Sequence, residues 1–190
     1  MENVMTAGGQ RNKIHPHKFS LWIGIGSIIM MFAGLTSAFV VRQAQGNWVH
    51  YKLPQIFWVS TLVIVLSSVT MHLGLRFFKQ HRSGAYKAMI WTTAVLGVLF
   101  VLTQYQGFKE LYELGIRLQG NPSGSFLFII AGLHGVHVLG GVLAIFTLLF
   151  SAYRKRVKNY NSVPTELVVT YWHFVDVLWV YLFIFFMFSL

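Results

Sequence analysis

Two groups of residues carry the chemistry that this chain can offer. Tyr171-Trp172-His173-Phe174-Val175-Asp176-Val177-Leu178-Trp179 places an imidazole and the chain's one aspartate in an otherwise apolar run. Gly132-Leu133-His134-Gly135-Val136-His137 places two more imidazoles in another. His173 and Asp176 are three apart, so a helix puts them on one face. An ionisable side chain deep in a bilayer costs about 2.5 kcal/mol or more, and it faces protein or water, with a partner. Such groups suit three kinds of work: a hydrogen-bonded tie between helices, a proton relay, or axial ligation of a haem held between helices.

The elements that hold these residues are membrane spans. Of 190 residues, 55% are hydrophobic and only 11% charged, against about 25% charged in a soluble domain. Five apolar runs approach the length of about 20 residues that a bilayer needs. They cover residues 19–41, 54–77, 86–105, 124–152 and 164–190. The sequence therefore predicts an all-α integral membrane bundle of five transmembrane helices, with a polar tail over 1–17 and one membrane domain over 18–190. Span five is rich in Phe, Trp and Tyr, which predicts a broad lipid-facing side. Small residues four apart in span one, Ala33/Ser37 and Gly34/Ala38, would let a partner backbone approach.

Fifteen Lys and Arg against five Asp and Glu give a net charge of +10. The cations sit in short loops, so they report orientation rather than nucleic-acid binding, and no basic stripe with stacking aromatics is present. Eleven Lys and Arg lie in the N-terminal tail and the loops after spans two and four. Four lie on the other side: Arg42, Lys52, Lys109 and Arg117. The N-terminus is therefore expected inside and the C-terminus outside. The absence of cysteine excludes disulfides, Cys-ligated zinc, iron–sulfur clusters and the C-x-x-C-H haem attachment. The first 18 residues do not read as a cleavable signal.

At 1.5 Å per residue, His137 lies about 22 Å from the inner end of span four, and His173 and Asp176 about 14 and 18 Å along span five. The similar depths predict a contact of His134 or His137 with Asp176 across neighbouring antiparallel helices. His134 and His137 are too close in sequence to be opposite axial ligands of one haem. No nucleotide-binding glycine loop is present.

Phe128–Gly141 (FIIAGLHGVHVLGG) and Thr170–Trp179 (TYWHFVDVLW), with a weaker match at Ser60–His72 (STLVIVLSSVTMH), closely resemble subunit III of haem–copper terminal oxidases. The resemblance covers roughly residues 15–190. It implies an accessory, non-redox subunit of an aa3-type, proton-pumping oxidase that reduces oxygen to water. Such a subunit has no catalytic centre, binds no haem or copper itself, packs on catalytic subunit I beside other oxidase subunits, and holds phospholipid. Haem and copper belong to the partner subunits. The family helps sustain proton uptake and protects the enzyme from inactivation during turnover. The chain is similar to a short form lacking the first two of seven helices, which leaves surface for a larger respiratory assembly. The implied location is a bacterial plasma membrane, with no nucleic-acid partner. His134, His137, His173 and Asp176 are then an intramembrane polar lock.

Two departures stand out against that family. A glutamate that many members carry after a serine in the first span is replaced here by Ile28, after Ser27. The end of span three reads Gln104-Tyr105-Gln106-Gly107-Phe108. A nitric-oxide reductase homologue of subunit III and a membrane haem carrier remain the alternatives at this point.

Overall fold

The computed structural model describes residues 16–46, 48–154 and 163–190. Five helices follow one another: α1 (Pro16–Ala44), α2 (Ile56–Lys79), α3 (Ser83–Glu113), α4 (Pro122–Tyr153) and α5 (Val163–Ser189). All five are long and apolar enough to cross a membrane. Most of the expected tail, together with the loop cations Lys155, Arg156 and Lys158 and the helix-start signal at Ser162, lies outside the described residues.

Helix ends follow local chemistry. Asn121 caps α4: its side chain accepts from the Ser123 amide at 2.9 Å, and Pro122 occupies the first turn, where its missing N–H costs nothing. Gly115 and Gly120 take positive φ in the preceding turn. The turn between α2 and α3 ends before Ser83-Gly84, which already belong to α3. It lies at residues 80–82, with His81 in the left-handed region (φ 58°) and the Arg82 amide bonded back to the Phe77 carbonyl at 3.1 Å. Helix α3 runs on to Glu113, so the polar stretch after Gln104 continues the helix rather than opening a loop.

Helices α2, α3, α4 and α5 form a closed ring of neighbours, and α1 packs into the outer groove between α4 and α5. The buried face of α1 is Ile25, Phe32, Thr36 and Phe39. Ala33, Gly34, Ser37 and Ala38 face outward, so the small-residue stripe meets no helix among the described residues. Helix α5 is the most buried of the five. This corrects the expected lipid-facing side: Trp172, Trp179, Phe183 and Phe186 turn inward, because α5 is the one helix that contacts α1, α2 and α4 together. A strip of Val177, Tyr181, Ile184 and Phe188 remains outward.

Candidate functional site: a polar seam on the fifth helix

Helix α5 carries hydrogen-bonding groups at nearly every turn. Trp172 Nε1 donates to Ser67 Oγ of α2 at 3.1 Å. His173 Nδ1 and Ser68 Oγ of α2 are 2.6 Å apart. Trp179 Nε1 donates to Thr61 Oγ1 of α2 at 3.1 Å. Tyr171 OH donates to the His137 carbonyl of α4 at 3.1 Å, and Tyr181 OH pairs with Thr36 Oγ1 of α1 at 3.2 Å. At one end, Glu166 bridges Lys18 of α1 (2.7 Å) and Lys79 of α2 (3.2 Å). At the other, Gln43 Nε2 of α1 donates to the Ser189 carbonyl at 2.8 Å. Between membrane helices such bonds contribute about 0.6 kcal/mol each and up to about 1.7.

Packing fixes these bonds in place. Trp172 is fully buried. A Cβ built on Gly141 of α4 would meet its Cε3 at 2.8 Å, and one on Gly97 of α3 would meet its Cη2 at 3.0 Å. α3 and α5 stand diagonally across the ring, and this indole crosses the centre to touch both glycines while its N–H reaches α2. A larger residue at Gly141 would push the ring away from Ser67.

The four residues singled out from the sequence lie in this region but do not form one cluster. His173 is half-buried and bonded to Ser68; the exposed His72 ring lies 6.0 Å from it, centre to centre. Asp176 is buried, and neither carboxyl oxygen has a hydrogen bond among the described residues, although the Ser68 hydroxyl lies close enough to act on it. His134 is buried with neither ring nitrogen bonded among the described residues. It stacks on Trp179 at 5.2 Å and 27°, with Phe32 and Phe100 edge-on. His137 Nδ1 bonds its own helix, at the Leu133 carbonyl, at 2.7 Å. No imidazole of α4 is hydrogen-bonded to Asp176. The depth argument placed the residues at the right level, but α5 turns its His173 side to α2. Among the described residues, no group of three or more His, Cys, Asp or Glu is arranged to hold a metal ion.

Sequence reasoning missed Ser67, Ser68, Thr61, Gly97 and Gly141. The adjacent Ser67-Ser68 in a span was the available signal, since two hydroxyls at one level invite partners on a facing helix.

The family model for "Cytochrome c oxidase subunit III" matches residues 46–189, which spans the loop before α2 and all of α2 to α5. The chain is 32% identical to a Corynebacterium diphtheriae protein named "Cytochrome c oxidase subunit 3", over 85% of each chain. It is 32% identical to the "Probable cytochrome c oxidase subunit 3" of Mycobacterium tuberculosis, over 85% of this chain and 82% of that one. It is 26% identical to a Staphylococcus haemolyticus protein named "Probable quinol oxidase subunit 3", over 94% and 89%.

Proposed function

The chain belongs to the cytochrome c oxidase subunit III family, and from that premise we propose that it is the accessory scaffold of an aa3-type terminal oxidase, packed on catalytic subunit I. As a family member it is a non-catalytic, multi-pass subunit III of a haem–copper oxidase, and its partners are the other oxidase subunits. The single observation that supports the scaffold reading is the seam on α5. One helix is bonded to α1, α2 and α4, and its largest ring is gripped by glycines of α3 and α4. A bundle fixed from its centre presents the outer faces of α1, α3 and α4 as a stiff apolar surface for subunit I and for phospholipid.

On this reading residues 18–190 act as one membrane domain in a bacterial plasma membrane, with the N-terminus inside. The ratio of eleven cations to four supports that orientation. The polar lock works in two parts. Ser68 is the shared hydroxyl between His173 and Asp176, tying α5 to α2. Tyr171 ties α5 to the backbone of His137, with His134 stacked on Trp179 behind it. The exposed small-residue stripe of α1 is available to a neighbouring subunit or to a larger respiratory assembly.

The test is turnover of the purified oxidase with and without this chain. The complex lacking it should start at a comparable rate, lose activity faster over successive turnovers, and recover durability when the chain is added back. Equal durability in both preparations would remove the scaffold role. Reporter fusions after Leu190 should be active outside; activity inside would reverse the orientation.

A further inference from the structure

Leu62, Val65, Val69, His72, Arg76 and Lys79 follow one another along α2 at alternating steps of three and four. That spacing sets them on one face of the helix, and all six are exposed. The face is apolar over its first three residues and basic over its last three. At the basic end lies a cleft of about 340 Å³, lined by His72, Leu75, Arg76, Lys79 and Gln80. Among the described residues, no Asp or Glu lines it. Glu166, 3.2 Å from Lys79, is already shared with Lys18 at 2.7 Å, so one carboxylate there faces two ammonium groups. Arg76 has no carboxylate partner among the described residues.

We propose that this face of α2 binds one anionic phospholipid, with its phosphate on Arg76 and Lys79 and an acyl chain along Val69, Val65 and Leu62. The inference deepens the phospholipid reading above and rests on it for the bilayer setting, but it assigns α2, whose outer face that reading leaves open. A guanidinium fork matches phosphate oxygens two at a time, and a lysine adds a point charge. Depth agrees. Arg76 lies about 4.5 Å and His72 about 10 Å from the Lys79 end of the helix. Arg76 is thus at phosphate level, and His72 is one step deeper, where an imidazole N–H can donate to an ester carbonyl. From Arg76 to Leu62 is about 21 Å, longer than the roughly 15 Å of one hydrocarbon leaflet. A soluble anion would use the cleft but not the apolar stripe. A neighbouring helix is disfavoured by side-chain size: membrane helices touch through Gly, Ala, Ser and Thr. This stripe has none of them, and α2 turns Ser60 and Ser67 inward. With the N-terminus inside, as proposed, the cleft faces the inner leaflet, where anionic lipids draw Lys and Arg.

The test uses the assembled oxidase in phosphatidylcholine nanodiscs doped with phosphatidylglycerol that carries a diazirine in one acyl chain. After illumination, label should map to the peptide spanning residues 62–69. Phosphatidylcholine with the same diazirine should label that stretch about tenfold less, and raised salt should weaken the phosphatidylglycerol label. Excess glycerol 3-phosphate should not compete. Arg76→Gln should weaken labelling about tenfold in apparent affinity, and Arg76→Lys should weaken it less, since the charge stays and only the fork is lost. Equal labelling by the two lipids, label unchanged by Arg76→Gln, or competition by glycerol 3-phosphate would each overturn the proposal. So would loss of partner subunits from the Arg76→Gln complex with its label unchanged, which would assign the cleft to a partner's carboxylate. Should Arg76→Gln fail to assemble, the comparison of the two lipids on the parent oxidase decides alone. Durability over successive turnovers, read on the same samples, reports the scaffold role separately: its failure with lipid-selective labelling intact would remove that role and leave this site standing.

Discussion

Trp172 of α5 lies directly against Gly141 of α4, with no room for a single added carbon between them: a Cβ on Gly141 would sit 2.8 Å from Cε3 and 2.9 Å from Cζ3 of the indole. The ring that such a Cβ would strike is itself pinned by Ser67 and backed by Gly97. Relief would require α4 and α5 to move apart.

Gly141→Ala should therefore destabilise the subunit by about 1–3 kcal/mol, the usual cost of overpacking. Gly132→Ala, nine residues earlier on α4 and in open space, should be neutral or slightly stabilising, since alanine is the better helix former. Thermal denaturation of the purified complex, followed by retention of this subunit, distinguishes the two. Equal behaviour of the two variants would mean that the grip on Trp172 does not hold the bundle.

Ser68 is proposed as the hydroxyl shared by His173 and Asp176. Ser68→Ala should cost about 0.6–1.7 kcal/mol, the range of such interhelical bonds. The double variant with His173→Leu should cost less than the sum of the singles, because they remove the same bond. On that proposal Asp176→Asn should cost less than Ser68→Ala, since an amide oxygen can take the place of the carboxyl oxygen beside Ser68. Additive losses in the cycle, or a larger loss at Asp176→Asn, would show that the carboxyl is held by a different group.

Glu166 joins Lys18 and Lys79, tying three helices at one end of the bundle. Its side chain is 22% exposed and those of the lysines 41% and 57%, so solvent screens the pairs and their effect is small. Glu166→Gln should lower stability by no more than about 1 kcal/mol at low salt, and the difference from the parent should shrink as salt is raised. Melting curves of both proteins at low and high ionic strength check this. A large loss that persists in high salt would assign Glu166 a buried partner instead.

Much of this arrangement was legible in the residues. Apolar run length marked five helices, and the HGxH and YWHFVDxxW segments marked the two that carry the buried imidazole of His134 and the buried carboxyl of Asp176. The level of His173 was also legible, because rise per residue converts position into depth. The direction in which each helix faces was not. His173 sits about 15 Å along α5 from Val163, and Ser68 sits about 16 Å along α2 from Lys79. The depth argument that favoured α4 fits α2 equally well. Rotation is set by packing, and here it is set by Trp172 entering the space left by Gly97 and Gly141. Aromatic composition misled for the same reason: the rings of α5 are large enough to fill the centre of a ring of four helices, and they were read as lipid-facing because lipid tolerates them too.

The central claim is that this chain is a scaffold whose oxidase carries its metals elsewhere. The most direct measurement is a gentle affinity purification through a tag on this chain, followed by a visible spectrum and metal analysis of the complex and of the chain after separation. The account predicts that haem absorbance and copper co-purify with the intact complex and that the separated chain is colourless and free of both. Haem or copper retained by the separated chain, or a chain that purifies with no oxidase subunit, would contradict it.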